Sequence, residues 1–472
     1  MSVPRPTFAL RAVGLIAGHA LTLAITACGG GASSPTKVSF EGGFASDTGK
    51  PDHFQPTPPD ARDSGHEASL DAEPDQGAGD AGLADTGSDS GATGFVAAPH
   101  TLPTIPDQGG PVLSHPVLVT VTYANDPQRT FVEQLGAYLV TSPWLTAVGP
   151  EYGVGLGTQV NVELPMSAPT TITDAEIQAL VESLVVAGTA PDADGGVLAK
   201  ELPPESDGGF DAGPDAWDGG GDGGPPVLMP QYIYMMYFPP TTAVLSQGEL
   251  ICDFSGGGYH FQTSLATRGQ AFAYAVVTEC PSSTQEELVQ TSSHEFIEAS
   301  TDPSQGDLAY SITDLYDPYS YFGGEVGDLC SLLSPQWSEG GFNGIQRVYS
   351  DKSVAAGGDP CLPSSAPYFG TNVVPATAKE VTPGGQAVFA ITGWSSAPVT
   401  DWELSAAVYI ASPVSFAPGL NVSTSTLNNG GAATLTVDIP AGAGSGTYAL
   451  ILLFSAYSQT DYTSSLLEIY VP

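Results

Sequence analysis

Basic residues are scarce. Lysine and arginine together number 11 in 472 residues, against 51 aspartates and glutamates, for a formal net charge of −40. A surface so poor in positive charge repels nucleic acid and anionic membranes, which excludes a polyanion partner. Cysteine is sparse as well, at five. No two are spaced as C-x-x-C, which argues against a thiolate zinc site. There is no G-x-S-x-G elbow for a serine nucleophile, no phosphate-cradling P-loop and no dinucleotide fingerprint. No EF-hand spacing is present. The early apolar run "AVGLIAGHALTLAITAC" (12–28) is too short to span a bilayer.

That run reads as an export signal. Arg5 and Arg11 are the only charges ahead of its end, and small residues close it. Its end, "ITAC" followed by "GGG", resembles the bacterial lipobox. The resemblance implies that 1–27 is a lipoprotein signal peptide and that Cys28 becomes the lipidated N-terminus. With Gly29 rather than aspartate after the cysteine, it implies the outer membrane or cell surface. The lipid anchor would be the only membrane contact, and a monomer is expected.

Length alone sets two to three domains. Residues 28–111 are acidic and rich in Gly, Asp and Pro, with too few apolar residues to offset the entropy of ordering them. They are expected to form a disordered tether. The stretch 191–226 repeats that composition and reads as a disordered insertion within a domain. Its Asp-Gly runs keep no nonapeptide period, so linker is preferred to a calcium repeat.

Residues 112–365 read as an α/β domain. "HPVLVTVTY" (115–123), "QYIYMMYF" (231–238) and "AFAYAVV" (271–277) are strands. "RTFVEQLGAYLV" (129–140) has helical spacing, and a second helix starts at Thr173 with Glu176 completing a capping box and Gly188 as its stop. "STQEELVQTSSHEFIEAST" (283–301) is helical, capped by Ser283 or Thr284. "SGGGYH", carrying His260, reads as a glycine-rich loop. From 366 to 472 short alternating segments between Gly, Pro, Asn and Ser turns predict an all-β, immunoglobulin-like sandwich without an intersheet disulfide. Setting Cys28 aside, Cys252, Cys280, Cys330 and Cys361 form an even set in an exported chain, which predicts two disulfides. Three pairings are open, and the nearest-neighbour one, Cys252–Cys280 with Cys330–Cys361, is preferred.

The chemistry concentrates in "TSSHEFIEASTDP" (291–303). On a helix His294 and Glu298 share a face, with Glu295 beside them. Imidazole and carboxylate are zinc ligands, and in H-E-x-x-H enzymes the glutamate after the first histidine is general base for a zinc-bound water. Here Glu298 replaces the second histidine, and its extra negative charge makes the metal a weaker Lewis acid. A third ligand comes from Glu325 in "GGEVGDLC" or from His260. By analogy with thermolysin-like enzymes, whose later Glu is a ligand and whose Asp just beyond orients a ligand histidine, Asp328 takes the orienting role. Calcium is the second cofactor to consider, since Asp302, Asp307, Asp314, Asp317, Glu325 and Asp328 are hard oxygen donors.

The order "YIYMMYFPP", "CDFSGGGYH", "FAYAVV", "SHEFIEASTDP", "GEVGDLC" and "IQRVYS" resembles secreted bacterial proteins described as HExxE metallopeptidases, over about residues 112–362 apart from the insertion. The plant phosphate-induced, exordium-like proteins are similar in layout. The resemblance implies a zincin-like α+β fold. It also implies a functional cluster of His294, Glu295, Glu298, Asp302, Glu325 and Asp328 acting on a peptide or protein substrate. The competing expectation is a non-catalytic surface adhesin, in which a degenerate or calcium-stabilised scaffold supports a binding sandwich.

Overall fold

In a computed structural model of the chain, the strongest apolar runs become neighbouring strands of one sheet. The structure describes residues 102–187, 231–364 and 367–472, apart from 255–256, 266–269, 282, 305–306, 313–318, 321–322, 377 and 459–460, together with two short paired strands, Leu21–Ala24 and Lys37–Phe40. Cys28, the insertion at 191–226, Gly188 and the rest of the expected signal and tether up to residue 101 lie outside the described residues. Among the described residues no helix is long and apolar enough to cross a membrane.

The central sheet contains β1 (Val117–Tyr123), β2 (Thr158–Leu164), β3 (Tyr232–Phe238), β4 (Gly258–Leu265) and β5 (Gln270–Thr278), in the order β2-β1-β3-β5-β4. The first four in that order run parallel, and β4 is an antiparallel edge strand. A sheet buried on both faces needs strands that are apolar at every position, which is why β3 reads "YIYMMYF" without alternation. Ile233, Met235 and Tyr237 face one side with α1 (Arg129–Leu139), α2 (Pro143–Val148) and the later helix α4 (Gln285–Thr301). Tyr234, Met236 and Phe238 face the other side with α3 (Asp174–Ala187). The middle part of the chain is thus an α/β domain of three layers.

Two helix starts follow from their caps. The Thr173 N–H donates to Glu176 Oε2 at 2.8 Å and the Glu176 N–H returns a bond to Thr173 Oγ1 at 3.4 Å. Thr284, rather than Ser283, caps α4, with the Thr284 N–H donating to Glu287 at 2.6 Å and the Glu287 N–H to Thr284 Oγ1 at 3.2 Å. Each reciprocal pair satisfies two of the donors that a helix start leaves open.

Two boundaries differ from the sequence reading. "SGGGYH" is not a loop throughout: from Gly258 it enters β4, and His260 pairs with Ala275 of β5. The folded domain also begins before Val112. Ile105 is buried and its N–H donates to Asp351, and the Gln108 N–H donates to the Ala309 carbonyl. The last ten residues of the expected tether therefore pack onto the domain, although their composition matches the solvated tract.

Among the described residues beyond 366, every regular element is a strand. One sheet holds β6 (Phe369–Val374), β8 (Gln386–Ser395), β10 (Gly419–Val422) and β12 (Ala432–Asp438); the other holds β7 (Lys379–Glu380), β9 (Trp402–Ser412), β11 (Thr426–Leu427), β13 (Tyr448–Ser458) and β14 (Asp461–Tyr470). Phe389, Ile391 and Leu435 of the first sheet share a core with Trp402, Ile451 and Leu467 of the second. Alternate residues of the second sheet, Leu450, Leu452, Phe454 and Leu466, are buried instead in the core of the α/β domain. There the Tyr319 hydroxyl accepts the Leu466 N–H at 3.1 Å. The span Ala97–Pro472 falls within one compact unit.

Candidate metal centre

Helix α4 is buried on all sides from Leu288 to Thr301, although its sequence "TSSHEFIEAST" is largely polar. Local bonds make this tolerable. Ser292, Ser293, Ser300 and Thr301 donate their hydroxyls to the carbonyls four residues earlier, at 2.6 to 2.9 Å. The ionisable residues of the helix have no such outlet, and beyond the His294–Glu298 contact their partners come from elsewhere in the fold.

Three elements bring those partners in. Alternation along β4 sends Tyr259 and Phe261 toward the α3 layer and His260 toward α4. The capping residue Asp302 ends α4. Helix α5 (Val326–Leu333) follows Glu325 and carries Asp328. The Cys252–Cys280 disulfide ties the approach to β4 to the end of β5, and Cys330–Cys361 pins α5. The nearest-neighbour pairing is therefore the one observed. By the chain-entropy estimate, loops of 28 and 31 residues contribute about 3–4 kcal/mol each. Both cross-links secure segments that carry site residues.

His260, His294, Glu295, Glu298, Asp302, Glu325 and Asp328 meet in the interior, none more than 4% exposed. His294 Nε2 lies 3.0 Å from Glu298 Oε2 and 3.7 Å from Asp328 Oδ1. His260 Nδ1 lies 3.3 Å from Glu295 Oε2 and 3.8 Å from Glu298 Oε2, while its Nε2 is 3.8 Å from Glu325 Oε1. Glu298 is clamped by α5: its Oε1 accepts the N–H groups of Gly327 at 3.2 Å and Asp328 at 3.0 Å. A carboxylate at a helix N-terminus is favoured by the dipole and by the open amides. That clamp leaves Oε2 facing the histidines. Asp328 Oδ2 is occupied by the Glu325 N–H at 3.3 Å, which aims Oδ1 at His294.

Five carboxyl groups, those of Glu295, Glu298, Asp302, Glu325 and Asp328, are buried together. Among the described residues, Arg129 pairs with Glu163 and Arg347 with Asp359, and no lysine or arginine pairs with the five. Buried charges of one sign need a cation or a proton. Burial opposes a charge on His294, but Glu298, Glu295 and Asp328 outweigh it and raise its pKa to about 10. Burial raises Glu295, against the pull of His260 and His294. Burial would also raise Glu298, but His294, His260 and the Asp328 N–H bring it below the usual range. Burial lifts Asp302 to about 6, with the Ala309 N–H and Glu325 opposing.

The buried donor set could hold a metal cation. His294 Nε2 and Glu298 Oε2 approach to 3.0 Å as an ion pair without the alignment of a regular hydrogen bond. Two ligands on one tetrahedral zinc with bonds of about 2.0–2.1 Å stand about 3.3 Å apart. The observed 3.0 Å is close to that separation and is also the spacing of an ion pair. The ligand-capable atoms form two triads, His294 with Glu298 and Asp328, and His260 with Glu298 and Glu325, each within 4.8 Å.

The residues singled out in the sequence converge with three exceptions. Asp307 is exposed, and Asp314 and Asp317 lie outside the described residues. Of the six-residue oxygen set considered for calcium, the structure gathers Asp302, Glu325 and Asp328. For zinc the sequence gives Asp328 an orienting role, but it stands on the Nε2 side of His294, which adds it to the candidate ligands there as well. Sequence reasoning also missed two glycines. A Cβ on Gly258 would stand 2.3 Å from Thr291 Cγ2 and 2.7 Å from Glu295 Oε1, and one on Gly327 would press on His294 and Glu298. It missed Gln346, whose N–H donates to Ser293 Oγ at 2.8 Å and whose Nε2 donates to the Gly327 carbonyl at 3.3 Å.

No family model and no curated protein matches the chain. Among solved structures it is similar over 22% of its length to a nucleoside hydrolase-related hypothetical protein from Saccharophagus degradans, at 16% identity and a TM-score of 0.17. It is similar over 20% to a family 123 glycoside hydrolase from Clostridium perfringens, at 15% identity and a TM-score of 0.16. It spans 26% and 22% of those two chains. A C. elegans MSP family member, WR4, is covered over 97% of its chain by 22% of this one, at 13% identity and a TM-score of 0.16.

Proposed function

We propose that the protein is an exported, lipid-anchored zinc-dependent hydrolase acting on peptides, with a zincin-like α/β domain followed by an immunoglobulin-like sandwich. The observation that carries this reading is the buried pair of His294 Nε2 and Glu298 Oε2, 3.0 Å apart, in a group of three that could hold a metal ion, with Glu295 adjacent on the same helix. His294 and Glu298 would hold zinc, joined by Asp328 or by the His260–Glu325 side. A bound zinc supplies Lewis acidity and makes water a better nucleophile near neutral pH. Glu295 accepts the proton of that water, and burial favours its return to a leaving amine. His260, 3.3 Å from Glu295 Oε2, holds the base in place. The lipobox around Cys28 and the acidic tract after it support anchoring outside the cell.

The test uses the full chain produced with zinc in the medium. About one zinc or more per chain is expected, with cleavage of unfolded protein substrates. Glu295→Gln is expected to abolish cleavage while zinc stays bound. A protein that holds no zinc ends this reading.

A second reading rests on the depth of the site. With every cluster residue at most 4% exposed, a cation there would serve as a structural core for a surface-binding lipoprotein. Under that reading Glu295→Gln lowers thermal stability and no hydrolysis is detected in either protein.

A further inference from the structure

The candidate ligands do not form one shell. His294, Glu298 and Asp328 make one triad, and His260, Glu298 and Glu325 make another, with only Glu298 common to both. Each triad joins one imidazole to two carboxylates, and each is anchored by different elements. Helix α4 supplies His294 and Glu298, the edge strand β4 supplies His260, and the start of α5 supplies Glu325 and Asp328.

We propose that the cluster holds two divalent cations, one in each triad, with Glu298 Oε2 shared between them. The proposal rests on the metal-centre reading above and goes beyond it in stoichiometry. Glu298 Oε2 is the central atom: it lies 3.0 Å from His294 Nε2 and 3.8 Å from Nδ1 of the His260 ring, whose Nε2 stands 3.8 Å from Glu325 Oε1. It is fully buried, and both α5 amides go to Oε1 instead.

Charge points the same way: five carboxyl groups are buried in one cluster with two imidazoles, and buried carboxylates call for cations close by. Mixed imidazole and carboxylate ligation suits zinc or manganese. Paired ions in hydrolytic sites stand about 3.5–4 Å apart and clamp both the attacking and the leaving oxygen.

The test is metal counting on the full chain, with zinc as the probe. Two zinc ions per chain are expected in the unaltered protein and one in His260→Ala. One ion per chain in the unaltered protein overturns the pair and leaves the single-ion centre standing, and none overturns both. Should His260→Ala fail to fold, manganese-loaded unaltered protein decides. Two manganese ions per chain with an exchange-coupled paramagnetic resonance spectrum support the pair. An isolated six-line signal at one ion per chain overturns it.

Discussion

A Cβ on Gly327 would stand 2.7 Å from Glu298 Oε1 and 2.9 Å from His294 Nδ1. The glycine lets the first turn of α5 come close enough for its amides to clamp Glu298. Gly327→Ala is therefore expected to push α5 away from α4. Overpacking of this kind costs about 1–3 kcal/mol. The variant should show a lower melting temperature and less bound metal than the unaltered protein, read by thermal denaturation and elemental analysis. Unchanged metal content in a folded variant would contradict the clamp.

Removing the cation should destabilise the fold, because the buried carboxylates lose their counter-charge. A ligand present at 100 times its dissociation constant adds about 2.7 kcal/mol to stability. Dialysis against a chelator is expected to lower the melting temperature, and zinc to restore it. Proton release adds a sharper signature. Without a cation, His294 is lifted to about 10 by its carboxylates and is charged near neutral pH. Zinc must displace that proton, so affinity should rise with pH up to about 10. Calorimetry at pH 7 in buffers of different ionisation enthalpy should register about one proton released per His294 site. No buffer dependence would remove His294 from the ligands.

The helix that carries His294 was legible because its signals are local. Thr284 and Glu287 mark its start, and the i, i+4 spacing of His294 and Glu298 sets a shared face. The remaining ligands depend on pairings distant in sequence. His260 sits in a strand only because β4 pairs with β5, and the glycines before it look like a turn when read alone. The side of His294 that Asp328 occupies depends on how α5 docks against α4, which spacing does not encode. Residues 102–111 share their composition with the tether and differ only in what they touch. The strand-rich character beyond residue 366 was legible from its regular turns, but not the burial of Leu450, Leu452 and Phe454 in the core of the α/β part. A strand apolar on both faces hides which face meets what.

That interface has a consequence for cooperativity. Leu452 and Phe454 lie in the α/β core although they belong to β13. Leu452→Ala should cost about 2–5 kcal/mol, as deletions in packed cores do. Because the core spans both parts, unfolding is expected as one transition, shifted as a whole by the substitution. Two separate calorimetric transitions, with only the sandwich's shifted, would show the parts to be independent.

Asp126 and Glu279 form a second pair of acids, away from the candidate metal centre. Glu279 follows β5 and its N–H donates to the Phe238 carbonyl, while Asp126 follows β1 and its Oδ1 accepts the Gln128 N–H at 2.7 Å. Burial, then the neighbouring Asp126, raises Glu279 to about 8, and burial raises Asp126 as well. The folded protein thus binds this proton more tightly than the unfolded chain, where a glutamate titrates near 4.3. The resulting stability is fully present below that unfolded value and is lost as pH rises through about 8. Glu279→Gln keeps a neutral side chain at every pH. The variant's melting temperature should therefore gain on that of the unaltered protein as pH rises from 5, with the gain levelling off above about 8, once Glu279 is ionised in the fold as well. A difference between the two proteins that stays constant across that range would show that Glu279 is not held protonated by Asp126 and its burial.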